Sequence, residues 1–302
     1  MSLRRFTGVI LSAVLLFASG SLHAQQAVQV VSTTWEDSYS WTERSKLFIN
    51  GEQAEINLGS HKGDKLRCTI VRESRHSDKG RAEADLKLLK LLRESSGRSI
   101  SLRNYVELGK GDAKPEAKLK TVYHISLPEN GGGSVEIRNY FGAVNVDAVT
   151  ANLTLKVEFS NVKMTAFAGR ADVEMKYGDA LLNTLSGNLA LRTDRSNIEL
   201  QHLRGTADIT ATYAKIRLLN LYEPEGLNIT ANRSEVYLDI PTRAKIGYAI
   251  ETSNVAVNHP SGKQLEQMAG TEGKMHFNYA PSDKAGTAEI SLHTGTIQYI
   301  VQ

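Results

Sequence analysis

Val135-Glu136-Ile137-Arg138-Asn139-Tyr140-Phe141-Gly142-Ala143-Val144-Asn145-Val146 decides the fold. Apolar and polar side chains alternate from Val135 to Arg138, two aromatics and a glycine follow, and the alternation resumes at Val144. Period-two alternation sets one face of a strand against a core, and a glycine between two such runs permits the positive φ of a turn. The segment reads as strand, turn, strand. Its second half then recurs. An apolar, mostly β-branched residue just after a polar or aromatic turn returns at Val144, Val162, Leu181, Ile198, Ile216, Val236 and Val255, roughly 17–20 residues apart. That interval is one coil of a β-solenoid, so the expected class is all-β in the main: a single-stranded β-solenoid, or β-helix-like repeat, over 129–302.

Upstream, Leu47-Phe48-Ile49-Asn50-Gly51 followed by Ile56-Asn57-Leu58 has the same shape and is expected to be an early coil. Between the two lies the one helical signal. Ala82, Leu86, Leu89 and Leu92 fall on one face with charged residues between them, which predicts one inserted amphipathic helix over 82–94 inside a first β layer at 46–128. A lid on the sheet is the favoured role for it, and a membrane-surface helix the other. Residues 25–45 form an extended lead-in whose Trp35, Tyr39 and Trp41 either cap the open end of the core or offer a platform for sugars.

Residues 1–24 carry Arg4 and Arg5, then an apolar run from Val9 to Ala18, then Leu22-His23-Ala24, the layout of a cleavable signal peptide. An exported protein is expected, and the periplasm, the cell surface and the medium all fit. The single cysteine, Cys68, precludes an internal disulfide. A net charge of +3 argues against nucleic acid, and no later stretch is long and apolar enough for an integral membrane span.

Three turns place a tyrosine before a small residue: Tyr140 ahead of Gly142, Tyr177 ahead of Gly178, and Tyr213 ahead of Ala214. Equivalent aromatics in stacked coils can lie over one another, so Tyr140, Tyr177 and Tyr213 are the candidate ligand ridge. Turn stabilisation is the favoured reading, because the tyrosines do not occupy every coil. The order of Leu47 to Gly51, the leucine-rich helix, Ser101-Leu102-Arg103-Asn104-Tyr105, Tyr123-His124-Ile125-Ser126-Leu127-Pro128 and Val135 to Val146 resembles the bacterial putative-adhesin domain family of unknown function, over about residues 45–302. The resemblance implies an exported β-solenoid. The chain departs from the family's rhythm at Thr193-Asp194-Arg195-Ser196, which has neither tyrosine nor glycine.

Chemistry is not expected. Asp172, Asp179, Asp194 and Asp208, with Arg170, Arg192 and Arg195, are the best carboxylate and guanidinium candidates for a polysaccharide-active enzyme. Glu136 and Glu174, with Arg138 and Lys176 two residues later, instead suggest acid and base rows that neutralise each other across coils. The histidines lack metal spacing, and no phosphate loop or nucleophile elbow is present. No catalytic residue, cofactor or metal is therefore assigned. The expected function is a non-catalytic, adhesin-like binding or structural role in the bacterial envelope or at its surface, with a glycan or an envelope protein as partner and the oligomeric state left open. A periplasmic signalling or assembly partner is the alternative, followed by an enzyme on a β-helix.

Overall fold

The computed structural model describes residues 28–111, 113–221, 224–241, 246–258, 266–268, 274–279 and 286–301; the expected signal segment 1–24 lies outside them. Over these residues the protein is mainly β, with one short helix and one large, mostly parallel mixed sheet. In chain order the elements are β1 (Gln29–Ser40), β2 (Lys46–Glu52), β3 (Ala54–His61), β4 (Lys65–His76), α1 (Lys79–Leu86), β5 (Leu89–Ser96), β6 (Ser99–Val106), β7 (Lys118–Pro128), β8 (Ser134–Asp147), β9 (Thr150–Lys176), β10 (Asp179–Asp194), β11 (Asn197–Thr212), β12 (Lys215–Leu219), β13 (Gly226–Ile240), β14 (Ile246–Asn258), β15 (Glu266–Met268), β16 (Lys274–Tyr279) and β17 (Gly286–Val301).

β8, β9, β10 and β11 lie parallel, each residue opposite the one eighteen positions later: Val144 faces Val162, Val162 faces Ala180, Ala180 faces Ile198. Ile198 faces Ile216, which faces Val236 on β13. Every member of this row is buried, as is the row two residues on, Met164, Leu182, Leu200, Leu218 and Leu238. Identical register in successive strands turns a period-two pattern into continuous apolar columns, and slipping by one residue would send each column into solvent. On the other side β2 and β3 pair with β8 in the same sense, Leu47 opposite Val135 and Ile56 opposite Val144.

Two positions of the expected repeat need correction. Leu181 is 38% exposed, and Ala180, at 3%, fills the core slot; a small residue in an apolar row leaves no hydrophobic mark in the sequence, and its bulky neighbour was read in its place. Val255 is likewise displaced. β17 enters between β13 and β14, so Ile297 follows Val236 and is itself followed by Val257. The last strand thus closes the core within its own chain instead of leaving β13 as a free edge.

The helix expected over 82–94 is also shorter and ends before Leu89. Asp78 caps α1, its carboxylate accepting the Arg81 N–H at 2.7 Å. Leu89–Ser96 is instead a strand, antiparallel to β6 with Leu92 opposite Arg103. Leu89 is buried and Leu92 is 44% exposed, which a helical face shared with Ala82 and Leu86 would not allow. Eight ladder positions with β6 outweigh a helical preference that a short segment expresses weakly.

Antiparallel strands cover the first end of the sheet. β1 pairs with β4, β4 with β7, and β7 runs parallel to β3. Trp41 is buried and its indole N–H donates to Gly132 O at 3.0 Å, so this part of the lead-in belongs to the core. Cys68 on β4, opposite Asp37 of β1 in the ladder, is 1% exposed, and burial, with Asp37 adding to it, pushes its thiol up to about 12. The raised value favours the neutral thiol. Its contribution to stability is complete below the unfolded value of about 8.5 and declines as pH rises toward 12. We expect Cys68 to resist alkylation in the native protein at pH about 8 and to react once urea unfolds the chain; reaction at equal rates in both states would contradict its burial.

Candidate functional site: a corner column of aromatic and arginine side chains

The parallel region turns repeatedly at residues with φ near +50°: Gln53, Phe141, Phe159, Tyr177, Arg195, Tyr213 and Arg233, then Thr294 and Asn254. The ladder puts these nine residues in one column, because their flanking residues pair from strand to strand. The residue after each but Asn254, which Val255 follows, is small, as at Gly142, Ser160, Gly178, Ser196, Ala214 and Ser234. A Cβ on Gly142 would sit 1.9 Å from Ala54 O, so neighbouring backbones press on each other at this corner. Where serine stands there, its hydroxyl donates to the carbonyl two residues back, at 3.0 Å for Ser160 and Ser196 and 2.8 Å for Ser234.

The side chains ahead of this pinch form an outward stack. Phe141 and Phe159 lie with centroids 4.9 Å apart and planes at 17°, Phe159 and Tyr177 at 4.8 Å and 5°. The Arg195 guanidinium then lies 5.6 Å from the Tyr177 ring and 5.0 Å from the Tyr213 ring, bridging two aromatics, and Arg233 continues at 5.5 Å from Tyr213. Arg195 also donates to the Tyr177 hydroxyl at 3.2 Å, and Arg233 donates to that of Tyr213. Phe141, Phe159, Tyr177 and Tyr213 are each 39–45% exposed. At about 4.8 Å per strand the run from Phe141 to Arg233 is about 24 Å long.

Two of the three expected ridge residues, Tyr177 and Tyr213, are in this column. Tyr140 is not: it precedes the corner by one residue, pairs in register with Glu52 and Glu158, and meets Phe141 and Phe159 edge-on at 4.4 and 5.6 Å. The sequence reading missed Phe141, Phe159, Arg195 and Arg233. The signal was present as an eighteen-residue interval running 141, 159, 177, 195 and 213, hidden because Arg195 stands where a tyrosine was sought. The Thr193 to Ser196 turn, which lacks tyrosine and glycine, keeps the column intact, since an arginine plane stacks on rings as readily as another ring does.

The carboxylates considered for catalysis are dispersed and partnered. Asp172 pairs with Arg192 at 3.1 Å, Asp194 with Arg195 at 2.8 Å, Asp179 accepts from Asn197 at 2.8 Å, and Asp208 from Asn228 at 2.7 Å. The expected separate acid and base rows are also redrawn: Glu174 stands in one column with Arg138, Lys156 and Arg192, and Glu136 in another with Asp172. Attraction still runs between neighbouring strands, within a mixed row. Among the described residues no group of His, Cys, Asp and Glu is placed to hold a metal, and no helix is long and apolar enough to cross a membrane.

We expect Arg195→Ala and Tyr213→Phe, combined in a double-mutant cycle, to show little coupling through the hydroxyl, whereas Arg195→Ala with Tyr213→Leu couples by about 0.5–1 kcal/mol. Thermal unfolding of the four proteins in each cycle reads this directly.

Fold and column define a mainly-β protein that carries a continuous exposed ladder of rings and guanidinium groups. The chain belongs to the Toastrack DUF4097 family, which matches residues 44–295. Among solved structures it is similar to a putative adhesin from Bacteroides fragilis, at 13% identity over 88% of this chain and 97% of that one with a TM-score of 0.40. A putative cell adhesion protein from Clostridium sporogenes matches at 14% identity over 89% and 100%, with a TM-score of 0.33. A putative lipid binding protein from Parabacteroides distasonis matches at 11% over 88% and 96%, with a TM-score of 0.38. No curated protein matches the chain. The resemblance to a putative-adhesin family of unknown function read from the sequence holds.

Proposed function

We propose that the protein is an exported β-solenoid with an adhesin-like, non-catalytic role in the bacterial envelope, and that it binds an extended partner, a glycan chain or an envelope protein, along the corner column. The observation that carries this reading is the identity of the side chains at the corner. A positive-φ turn asks for Gly or Asn, and the same corner is made by Gln53, Thr294 and Asn254 elsewhere in the column. Phe141, Phe159, Tyr177, Arg195, Tyr213 and Arg233 are therefore more than the turn requires.

Magnitudes support the distinction. A non-glycine residue in the left-handed region costs about 1 kcal/mol, and an exposed ring or cation–π contact returns about 0.5–1 kcal/mol. The stack roughly offsets its own strain and contributes little net stability. A regular row of ring edges, hydroxyls and guanidinium groups suits a repeating ligand held by many weak contacts.

Protease treatment of intact cells locates the protein: digestion before lysis places it on the outer surface, and protection until the envelope is opened favours the alternative of an internal assembly partner. Phe159→Asn, Tyr177→Asn and Tyr213→Asn keep a residue suited to the turn while removing the rings. We expect them to retain thermal stability within about 1 kcal/mol and to lose surface attachment or partner capture. Unchanged binding by the triple variant would remove the column from the account.

A further inference from the structure

We infer that the first end of the corner column opens into an anion-binding groove, and that the ligand is an acidic polymer, a glycan bearing carboxylate or sulfate groups. This rests on the column being the binding surface. A groove of about 420 Å³ lies where Gln53 and Phe141, the first two corner residues, meet β4 and β7. Its wall on the sheet side carries Arg75, Lys118 and Lys120.

The charges there are arranged in a way that a structural role does not explain. Arg75 and Lys118 stand directly opposite each other on antiparallel strands. Like charges so placed repel by up to about 1 kcal/mol. Two acids answer two of the three cations: Glu73 pairs with Arg75 at 2.8 Å, and Glu55 with Lys120 at 2.6 Å. The Lys120 ammonium, with Asn57 helping, holds the Glu55 carboxyl below its ordinary range, so that pair stays ionised. The Lys118 ammonium has no charged or hydrogen-bonding partner among the described residues, and the residue is exposed. One positive charge in excess faces a groove whose other wall is the exposed ring of Phe141, 45% accessible.

An anion placed between Lys118 and Arg75 relieves their repulsion and gains charge-assisted hydrogen bonds, while the apolar body of the same unit rests on Phe141. The next units of the polymer then run along Phe159 and Tyr177. A neutral polymer of the same shape gains only the second half of these contacts, so the groove selects for charge where the column supplies length.

The test uses the mature protein with oligogalacturonate and with its uncharged methyl ester, compared by calorimetry at low and physiological salt. The expected result is tighter binding of the acid form, weakened by salt, with Lys118→Gln costing about tenfold in affinity for the acid and nothing for the ester. Equal affinity for the two polymers, lost in the Phe159, Tyr177 and Tyr213 asparagine variant, would overturn the anion groove and leave the column standing. Binding of the acid form that needs Lys118 but ignores the asparagine variant would keep the groove and sink the column. No binding of either polymer overturns the inference. Lys118 is exposed, so the variant leaves the fold intact, and unfolding curves check this.

Discussion

Gly187→Ala lowers the stability of the protein by more than about 3 kcal/mol, or abolishes folding. Gly169, Gly187 and Gly205 form a second corner column, with φ of +114°, +123° and +110°. A Cβ at Gly187 would lie 2.1 Å from Gly169 O, and one at Gly205 would lie 2.2 Å from Gly187 O. Two penalties combine: a backbone conformation that L-residues rarely adopt and a clash with backbone that cannot rotate away. Gly97 is the control. It has φ of +59° with nothing within 4 Å of its Cβ position, in the turn between β5 and β6. Gly97→Ala should cost only about 1 kcal/mol. Urea midpoints of the two variants compare them. Equal losses would mean that the backbones at Gly169 and Gly187 do not approach closely.

Ala180→Asn is the second large effect, at about 3 kcal/mol, because it places an amide without partners in an apolar column and overfills a slot sized for a methyl group. Its neighbour behaves oppositely. Leu181 points outward between Lys163 and Glu199, so Leu181→Asn should cost less than about 0.5 kcal/mol. The pair separates two registers that differ by one residue. If Leu181 were the buried member, the order of the two losses would reverse.

How far the sequence could be read follows from these positions. The strands of the repeat were legible because Val144, Val162, Ile198, Ile216 and Val236 are β-branched and buried at regular intervals. The slot held by Ala180 was not, since burial of a small side chain leaves no mark that an exposed leucine beside it cannot outshout. Nor was the entry of β17 between β13 and β14, because parallel pairing between residues as far apart as Leu227 and Ala288 has no local signature. The helix was overextended at Leu89 for a related reason: its partner strand β6, which decides the matter, lies beyond the window in which periodicity is judged. For the site, tyrosine as a residue type was too narrow a search. Phe141, Phe159, Tyr177, Arg195, Tyr213 and Arg233 share planarity and a corner, and the shared position is visible only once the eighteen-residue register is known. The excess charge at Lys118 was invisible in sequence, since Arg75 is forty-three residues away and meets it across a strand pair.

The corner column exists only in that register, and cysteine cross-linking tests it most directly. Lys163 and Leu181 lie opposite each other on β9 and β10, both directed outward. A Lys163→Cys, Leu181→Cys protein, with buried Cys68 left in place, should form an internal disulfide on mild oxidation, identified by the mass of the joined peptides. A Val162→Cys, Leu181→Cys protein should not, because those side chains face opposite sides of the sheet. Cross-linking of the second pair without the first would shift β10 by one residue, break the stack from Phe159 through Tyr177 to Arg195, and contradict the account.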